Sequence, residues 1–381
     1  MRYEYQVDIS QDNWDSPEVR YAWPRLIAGC SDAELLGKCP EFIDHLRSTH
    51  DPSQFYLAMV RDTVGSIAGL VPLRVACSGF RFDISGHVLA ESRSRAVWIL
   101  GSVPLLPADP VPHDLLFATL DQGFADCQVI AMPSVPTDSF LWHYVRESQF
   151  LKEKFLPYAM DGVRRCHIIP LPATVESYLA KFDAKRRYNL KRQTRILRDH
   201  FGGRLELRRF DSSHQVGDLV NLITPSGEFT GLWRWGPSKA MTIDRREAES
   251  LAAQGLILIY LLIGAGRPCA ALTGLKYQGV YHLDGIPRDC SLDRFSPGST
   301  ALHLAIEDLI RSTSIRRIDM GFGSPAYPHS STNVTEPRTS LLLFRNTLAN
   351  RLLRVTHATF KSLIDLGKTC IGKPSDRVCV R

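Results

Sequence analysis

The stretch Ser296-Pro297-Gly298-Ser299-Thr300 opens an apolar-periodic run, and its residue types suit one piece of chemistry: holding an anion on bare backbone amides. A helix leaves its first N–H groups without intrahelical acceptors, and the positive end of its dipole lies there. Pro297 fits the first helical position, where a missing N–H costs nothing; Gly298 lets a ligand approach, and Ser299 and Thr300 offer hydroxyl donors. The same residues also describe a plain capped helix with Ser296 as N-cap, so both readings stand at this point. The run fits neither the P-loop pattern, whose lysine it lacks, nor GxGxxG.

A second candidate is the basic segment KRRYNLKRQTRILR, in which Arg187, Lys191, Arg195 and Arg198 recur at helical spacing along one stripe. Such a stripe either meets phosphates or is a solvated face. Charge is concentrated here: 13 basic and 4 acidic residues between Arg164 and Phe210 make that segment +9, so the rest of a chain totalling +6 is −3. A third candidate is SGEFTGLWRWGP, where Glu228, Trp233 and Trp235 sit among glycines. That composition suits an acceptor-binding loop that stacks on a flat group, and equally a loop tied to the core by its aromatics. HExxH, G-x-S-x-G and carboxylates grouped at metal spacing do not occur, so metal and covalent catalysis are not indicated.

These residues need elements to position them. The 381 residues, 44% hydrophobic, suffice for two domains of ordinary size. QFYLAMVRDTVGSIAGLVPLRVA, from Gln54 to Ala76, reads as a hairpin, AVWILGSVPLLP as a strand and loop, HDLLFATLDQGFA as a helix and CQVIAMPSVP as a strand. The pattern restarts near Asp161, which sets the expected domains at 1–160 and 161–381. In the second half RREAESLAAQ reads as a helix stopped at Gly255, LILIYLLI as a strand, and PCAALTGLKY and VYHLDGI as an antiparallel pair. The Ser296 helix follows, with Leu302, Ala305, Ile306, Leu309 and Ile310 on one face, and then the strand IRRIDMG. The C-terminal SLLLFRNTLANRLLRVTHATFKSLI reads as one amphipathic helix carrying Arg345, Arg351, Arg354 and Lys361. It is expected to pack on its domain, with a membrane-surface role as the alternative.

Nine cysteines without a CxxC pair, and an N-terminus without an apolar core, fit a reducing cytoplasm; the longest apolar run is too short to span a bilayer. The expected location is cytoplasmic, with peripheral membrane attachment as the variant.

Three separated segments then occur in a familiar order: YLAMVRDTVGSIAGLVPLRV; YLAKFDAKRRYNLKRQTRILRDHFGG; and GRPCAALTGLKYQGVYHLDGIPRDCSLDRFSPGSTALHLAIEDLIRSTSIRRIDMGFGSPAYP. Together they resemble the GNAT-fold acyltransferases of the CelD/BcsL type, relatives of the FemAB peptidyltransferases. The resemblance covers most of the chain and is strongest between Tyr178 and Pro328. It implies an α/β (α+β) fold of tandem GNAT-like domains, each a mixed, mostly antiparallel sheet flanked by helices. It also implies acyl transfer from acyl-CoA to an amine, without a metal.

On that resemblance, Ser296, Pro297, Gly298, Ser299 and Thr300 stand where the pyrophosphate of coenzyme A would be seated. A backbone N–H in Leu283 to Gly285 would polarise the thioester carbonyl. Asp284 or Asp319 would accept the ammonium proton, and Tyr327 would protonate the leaving sulfur. The family's Tyr-Lys pair is here Tyr327-Pro328, leaving His329 or Arg338 as substitutes for the lysine. Asp284 and Asp319 read equally as turn-formers at strand ends, and Tyr327 as a loop anchor. The acceptor implied is a small-molecule or lipid-linked amine, such as an amino sugar or an envelope or polysaccharide precursor. The alternatives are an aminoacyl-tRNA-dependent transferase, with tRNA on Arg187 and Lys191, and a non-catalytic binding protein that retained the fold.

Overall fold

In the computed structural model, residues 5–30, 35–84, 87–223, 234–235, 239–240, 245–322 and 334–370 are described. The chain forms two compact units: residues 1–165 with 337–381, and residues 166–336.

The first unit begins with β1 (Tyr5–Ser10), α1 (Pro17–Ala28), α2 (Pro40–Thr49) and β2 (Phe55–Asp62). The long hairpin β3 (Ile67–Ile84) and β4 (His87–Ile99) follows. Next come α3 (Pro110–Gly123), β5 (Val129–Pro136), α4 (Phe140–Glu147), α5 (Gln149–Lys154) and β6 (Phe155–Ala159). The second unit holds β7 (Arg164–Pro170), α6 (Val175–Ala180), α7 (Ala184–His200), β8 (Leu205–Phe210) and α8 (Val216–Ile223). A two-residue pair, β9 (Arg234–Trp235) with β10 (Lys239–Ala240), precedes α9 (Arg245–Ala253). The unit continues through β11 (Ile259–Gly264), β12 (Arg267–Tyr277), β13 (Val280–Gly285), α10 (Pro297–Ser312) and β14 (Arg317–Asp319). The chain ends on β15 (Val334–Arg345) and α11 (Leu348–Cys370).

Strand order is β1-β2-β3-β4-β5-β15 in the first unit, with β6 also on β15, and β7-β14-β13-β12-β11-β8 in the second. Among the described residues each unit has one parallel contact in an otherwise antiparallel sheet, and in each a helix makes the crossover: α3 between β4 and β5, α10 between β13 and β14. This is the tandem mixed α/β arrangement expected from the sequence.

The C-terminal segment departs from its reading. Ser340 to Arg345 is strand, not helix, and residues 337–381 belong to the first unit rather than to an unbroken 161–381 domain. The reason is burial on both faces. β15 lies between β5 and β6, and Leu341 and Leu343 face one core while Leu342 and Phe344 face another. A strand covered on two sides has no polar alternation to reveal it. Arg345 fastens its end: Nε donates to the Cys127 carbonyl at 2.7 Å, Nη2 to those of Asp121 and Phe124 at 2.8 and 2.9 Å, and the guanidinium pairs with the Asp121 carboxylate.

α11 then covers the second sheet face. His357 packs on Phe80 with ring centroids 4.2 Å apart, and Phe82 meets Phe360 at 5.4 Å. The His357 Nε2 contact is a carbonyl, that of Arg81 at 3.1 Å, so Nε2 carries the hydrogen and Nδ1 accepts from the Tyr158 hydroxyl at 2.7 Å. Burial holds this imidazole below its usual pKa, consistent with the neutral form.

Candidate active site

The geometry of interest begins at the β12–β13 hairpin in the second unit. It turns on Gln278 and Gly279, both at positive φ (42° and 81°), the conformation demanded by a two-residue turn between twisted strands. Pairing runs regularly to Gly274 opposite Leu283, then jumps to Thr273 opposite Gly285, leaving Asp284 as the extra residue of a bulge. Gly274 makes this possible. A Cβ there would overlap the His282 carbonyl oxygen and lie 2.8 Å from Cε2 of Tyr281.

β13 and β14 run parallel through Val280/Arg317, Tyr281/Ile318 and His282/Asp319, and there the ladder stops. Beyond it the first chain stays with β12: Ala271 donates its N–H to the Pro287 carbonyl at 2.9 Å, and Asp289 to that of Cys269 at 3.0 Å. The other chain stays with β7, Met320 donating to the His167 carbonyl at 2.9 Å. The strands therefore part at the bulge, and the backbone from Leu283 to Gly285 has no β14 partner.

A 3-10 turn at Cys290–Phe295 carries the chain to Ser296, a non-glycine residue in the left-handed region (φ 53°, ψ 51°). Ser296 occupies the N-cap position of α10, but its side chain caps nothing. Thr300 donates its N–H to the Ser296 carbonyl at 3.1 Å, whereas the N–H groups of Gly298 and Ser299 find no acceptor among the described residues. The Thr300 hydroxyl is buried without a hydrogen-bond partner, the residue being 2% exposed. An orphaned buried hydroxyl costs about 1–3 kcal/mol, and an oxygen-rich anion would satisfy it together with the two amides. At Gly298 a Cβ would press on Ile286 at 3.3 Å and Arg288 at 3.4 Å, so the missing side chain also lets the helix start sit close to the chain after β13.

α10 is held rigidly. Ala301, Leu302, Ala305, Ile306 and Leu309 are fully buried, and each large one contributes about 1.5–3 kcal/mol. Its Asp308 carboxylate accepts from Tyr260 at 2.7 Å and from Arg209 at 3.0 Å. α7 packs alongside. The His303 imidazole, below its usual pKa chiefly through burial, is opposed by Glu307 and repelled by Arg311 and Lys191.

The corresponding helix of the first unit differs at the decisive place. Asp109 caps α3, its Oδ1 accepting the Val111 N–H at 2.9 Å, so a carboxylate already occupies that helix start. The start of α3 is thus capped by a side chain, whereas that of α10 is not.

The expected residues distribute as follows. Asp284 is on the bulge, exposed, and makes no hydrogen bond or ion pair among the described residues. Although the residue reaches solvent, crowding of its carboxyl and then the nearby Glu247 hold its pKa above the usual carboxylate value. Asp319 is buried, and its Oδ1 accepts the Gly321 N–H at 2.8 Å, the work of a turn-former. Leu283 and Gly285 flank the bulge, and Ser296, Pro297, Gly298, Ser299 and Thr300 form the helix start. Arg187 is half-buried and donates to the Phe182 carbonyl at 2.6 Å, so it leaves the open stripe. The exposed face of α7 instead carries Lys191, Arg192, Arg195 and Arg198, none in an ion pair among the described residues, with Tyr188 61% exposed between them. Trp235 is in β9, while Glu228, Trp233, Tyr327, Pro328 and His329 lie outside the described residues. Arg338 is fully buried in β15 of the first unit. Among the described residues no cluster of three or more His, Cys, Asp or Glu could hold a metal ion.

Gly274 and the Asp109 cap were not singled out from sequence. A lone glycine inside ALTGLKY is a recognisable bulge signal; a capping aspartate becomes informative only once the two helices are known to correspond.

Comparison with known proteins agrees with this geometry. Residues 184–328 match the model of the acetyltransferase (GNAT) domain. No curated protein matches the chain. Among solved structures, FemX aligns with a TM-score of 0.55 at 10% identity, over 88% of this chain and 98% of its own. A tandem GNAT protein from the clavulanic acid biosynthesis pathway aligns with a TM-score of 0.51 at 10% identity, over 90% and 98%. The C-terminal domain of a putative lysylphosphatidylglycerol synthetase from Agrobacterium fabrum aligns with a TM-score of 0.49 at 12% identity, over 89% and 95%. At such identities the first two speak for the fold alone, and the domain match carries the chemistry. Residues 184–328 thus form a GNAT acetyltransferase domain within a tandem GNAT-like fold, and the protein is an acyltransferase.

Proposed function

We propose that the protein is an N-acyltransferase of the CelD/BcsL type, acting in the cytoplasm, that moves an acyl group from acyl-CoA to an amine by direct attack. The acceptor class is a small-molecule or lipid-linked amine, such as an amino sugar or an envelope or polysaccharide precursor. The observation that carries the reading is the uncapped start of α10: bare amides at Gly298 and Ser299 above the orphaned Thr300 hydroxyl, beside the parting of β13 and β14. A diphosphate fits that donor set, and a thioester carbonyl would meet a backbone N–H at Leu283 to Gly285.

In this scheme the Asp284 carboxylate takes a proton from the acceptor ammonium. The amine nitrogen attacks the thioester carbon, the C–N bond forms and the C–S bond breaks. Tyr327 gives its phenolic proton to the departing sulfur and recovers one from the acylated nitrogen. Asp319 is a positioning residue that holds the end of β14 through Gly321.

Acyl-CoA thioesters should raise the melting temperature of the protein, because a ligand at 100 times its Kd stabilises the native state by about 2.7 kcal/mol. Absence of a shift with every CoA species would remove the reading. A second reading, an aminoacyl-tRNA-dependent transferase, is favoured by the cationic face of α7. It predicts salt-sensitive RNA retention lost on Lys191→Ala and Arg195→Ala, and no response to acyl-CoA.

Asp284→Asn should lower kcat by about 100-fold or more. In the wild type kcat/KM should climb with pH through a pKa above the ordinary carboxylate range, and this limb should vanish in the variant. The sign for stability is opposite: a carboxyl whose folded pKa is raised opposes folding once ionised, so the variant should be at least as stable at neutral pH. Wild-type turnover in Asp284→Asn would take the residue out of the mechanism.

A further inference from the structure

α11 packs through one side, where Asn350 and His357 are buried and Leu353, Phe360 and Ile364 are half-buried. Its opposite side is bare. Leu348, Leu352, Val355, Leu363 and Leu366 are 84%, 69%, 54%, 63% and 63% exposed, and they recur at i, i+4, i+7, i+15 and i+18. That spacing keeps them in one stripe along a straight helix. The β3–β4 hairpin tip also exposes Ile84, Val88 and Leu89, and the hairpin is fixed to the helix by Lys361, whose Nζ lies 3.0 Å from Asp83 Oδ1. A patch of this kind on one unit marks a surface that something covers.

We propose that this face docks on a lipid surface bearing anionic headgroups. Two observations select that occupant over a second copy of the chain. The first is charge: Arg351, exposed, borders the stripe next to Leu352, with the half-buried Arg354 one turn on, and both hydrogen-bond only neutral oxygens, those of Asn346 at 2.8 Å and Pro157 at 3.3 Å. Neither has an acidic partner among the described residues, in contrast to Lys361, which is paired with Asp83 and Asp161. A second copy would bring like charges together, whereas anionic headgroups neutralise them.

The second is shape. Leu352 borders a cavity of about 550 Å³ between α11 and the sheet, floored by Phe80, Val129, Leu342 and Phe344 and without an ionisable side chain in its lining. Because Leu352 belongs both to the stripe and to that lining, an acyl chain of a lipid laid on the stripe would have a recess to enter, as a flat protein face would not. No described helix is long and apolar enough to cross a membrane. The inference is independent of the acyl donor.

The test is co-sedimentation of the full chain with vesicles of phosphatidylcholine alone and of phosphatidylcholine with phosphatidylglycerol at 3:1, alongside light scattering without lipid. The protein should pellet with the anionic vesicles at least fivefold more than with neutral ones, less so at high salt. Binding should be lost in Leu352→Glu/Leu363→Glu and reduced in Arg351→Ala. Both leucines are exposed, so an unchanged melting temperature should accompany the loss. Protein that stays in the supernatant with anionic vesicles overturns the proposal, as does a wild-type dimer that the double variant converts to monomer.

Discussion

Gly274→Ala is expected to lower the melting temperature by roughly 6–12 °C and to abolish response to acyl-CoA. The added methyl has nowhere to go: one neighbour is the His282 carbonyl oxygen, which is backbone, and the other is the fully buried ring of Tyr281. Overpacking of this kind costs about 1–3 kcal/mol even where side chains can yield, and here β13 itself must move. Displacing β13 removes the bulge at Asp284 and rebuilds the parting of β13 from β14, so stability and donor binding fall together. Gly217→Ala is the control. That glycine lies in α8 with no atom within 4 Å of an added Cβ, and the change should be neutral or stabilising by about 1 kcal/mol. Equal behaviour of the two variants would show that the bulge does not depend on a close approach.

Ser299→Glu should separate the two effects. Ser299 is the third residue of α10, whose first turn holds no acid and whose N-cap side chain makes no bond. A carboxylate there meets the helix dipole and the bare amides favourably, worth about 0.3–1 kcal/mol, so the variant should melt slightly higher than the wild type. The same carboxylate occupies the amides and repels a diphosphate. Losing one hydrogen bond to a charged group costs about 1.5–3 kcal/mol, or roughly 10- to 100-fold in donor affinity. Ser299→Gln, similar in size and neutral, should lose much less. A glutamate variant that binds acyl-CoA as tightly as the wild type would show that the α10 start takes no part in holding the donor.

What could be read in advance depended on how local each cause is. α10 was legible because its start residues and its apolar period sit within one segment. The β12–β13 hairpin was legible from a two-residue turn between β-rich runs. β15 was not, since four consecutive apolar residues, Leu341 to Phe344, fit either period and only their two covering layers distinguish them. The carboxyl of Asp284 was visible as a type, but its raised pKa comes from crowding and from Glu247, 37 residues away in the chain. The purpose of Gly274 likewise lies across the hairpin. Arg187 shows the converse: its spacing matched the stripe, yet a contact with the Phe182 carbonyl turns it inward.

The placement of β15 bears on how the chain is made. The first unit takes Leu341 and Leu343 into its main core, yet these residues leave the ribosome about 180 positions after Arg165. At about 5–20 residues per second, that is a wait of roughly ten to forty seconds. Throughout it the hairpin sheet stands with its β5 edge unpaired, and by its end the later-made unit has all its strands, β14 closing at Asp319 before Leu341 is made. The order of completion is thus the reverse of the order of synthesis, and the nascent amino-terminal half is the segment most in need of a holding chaperone.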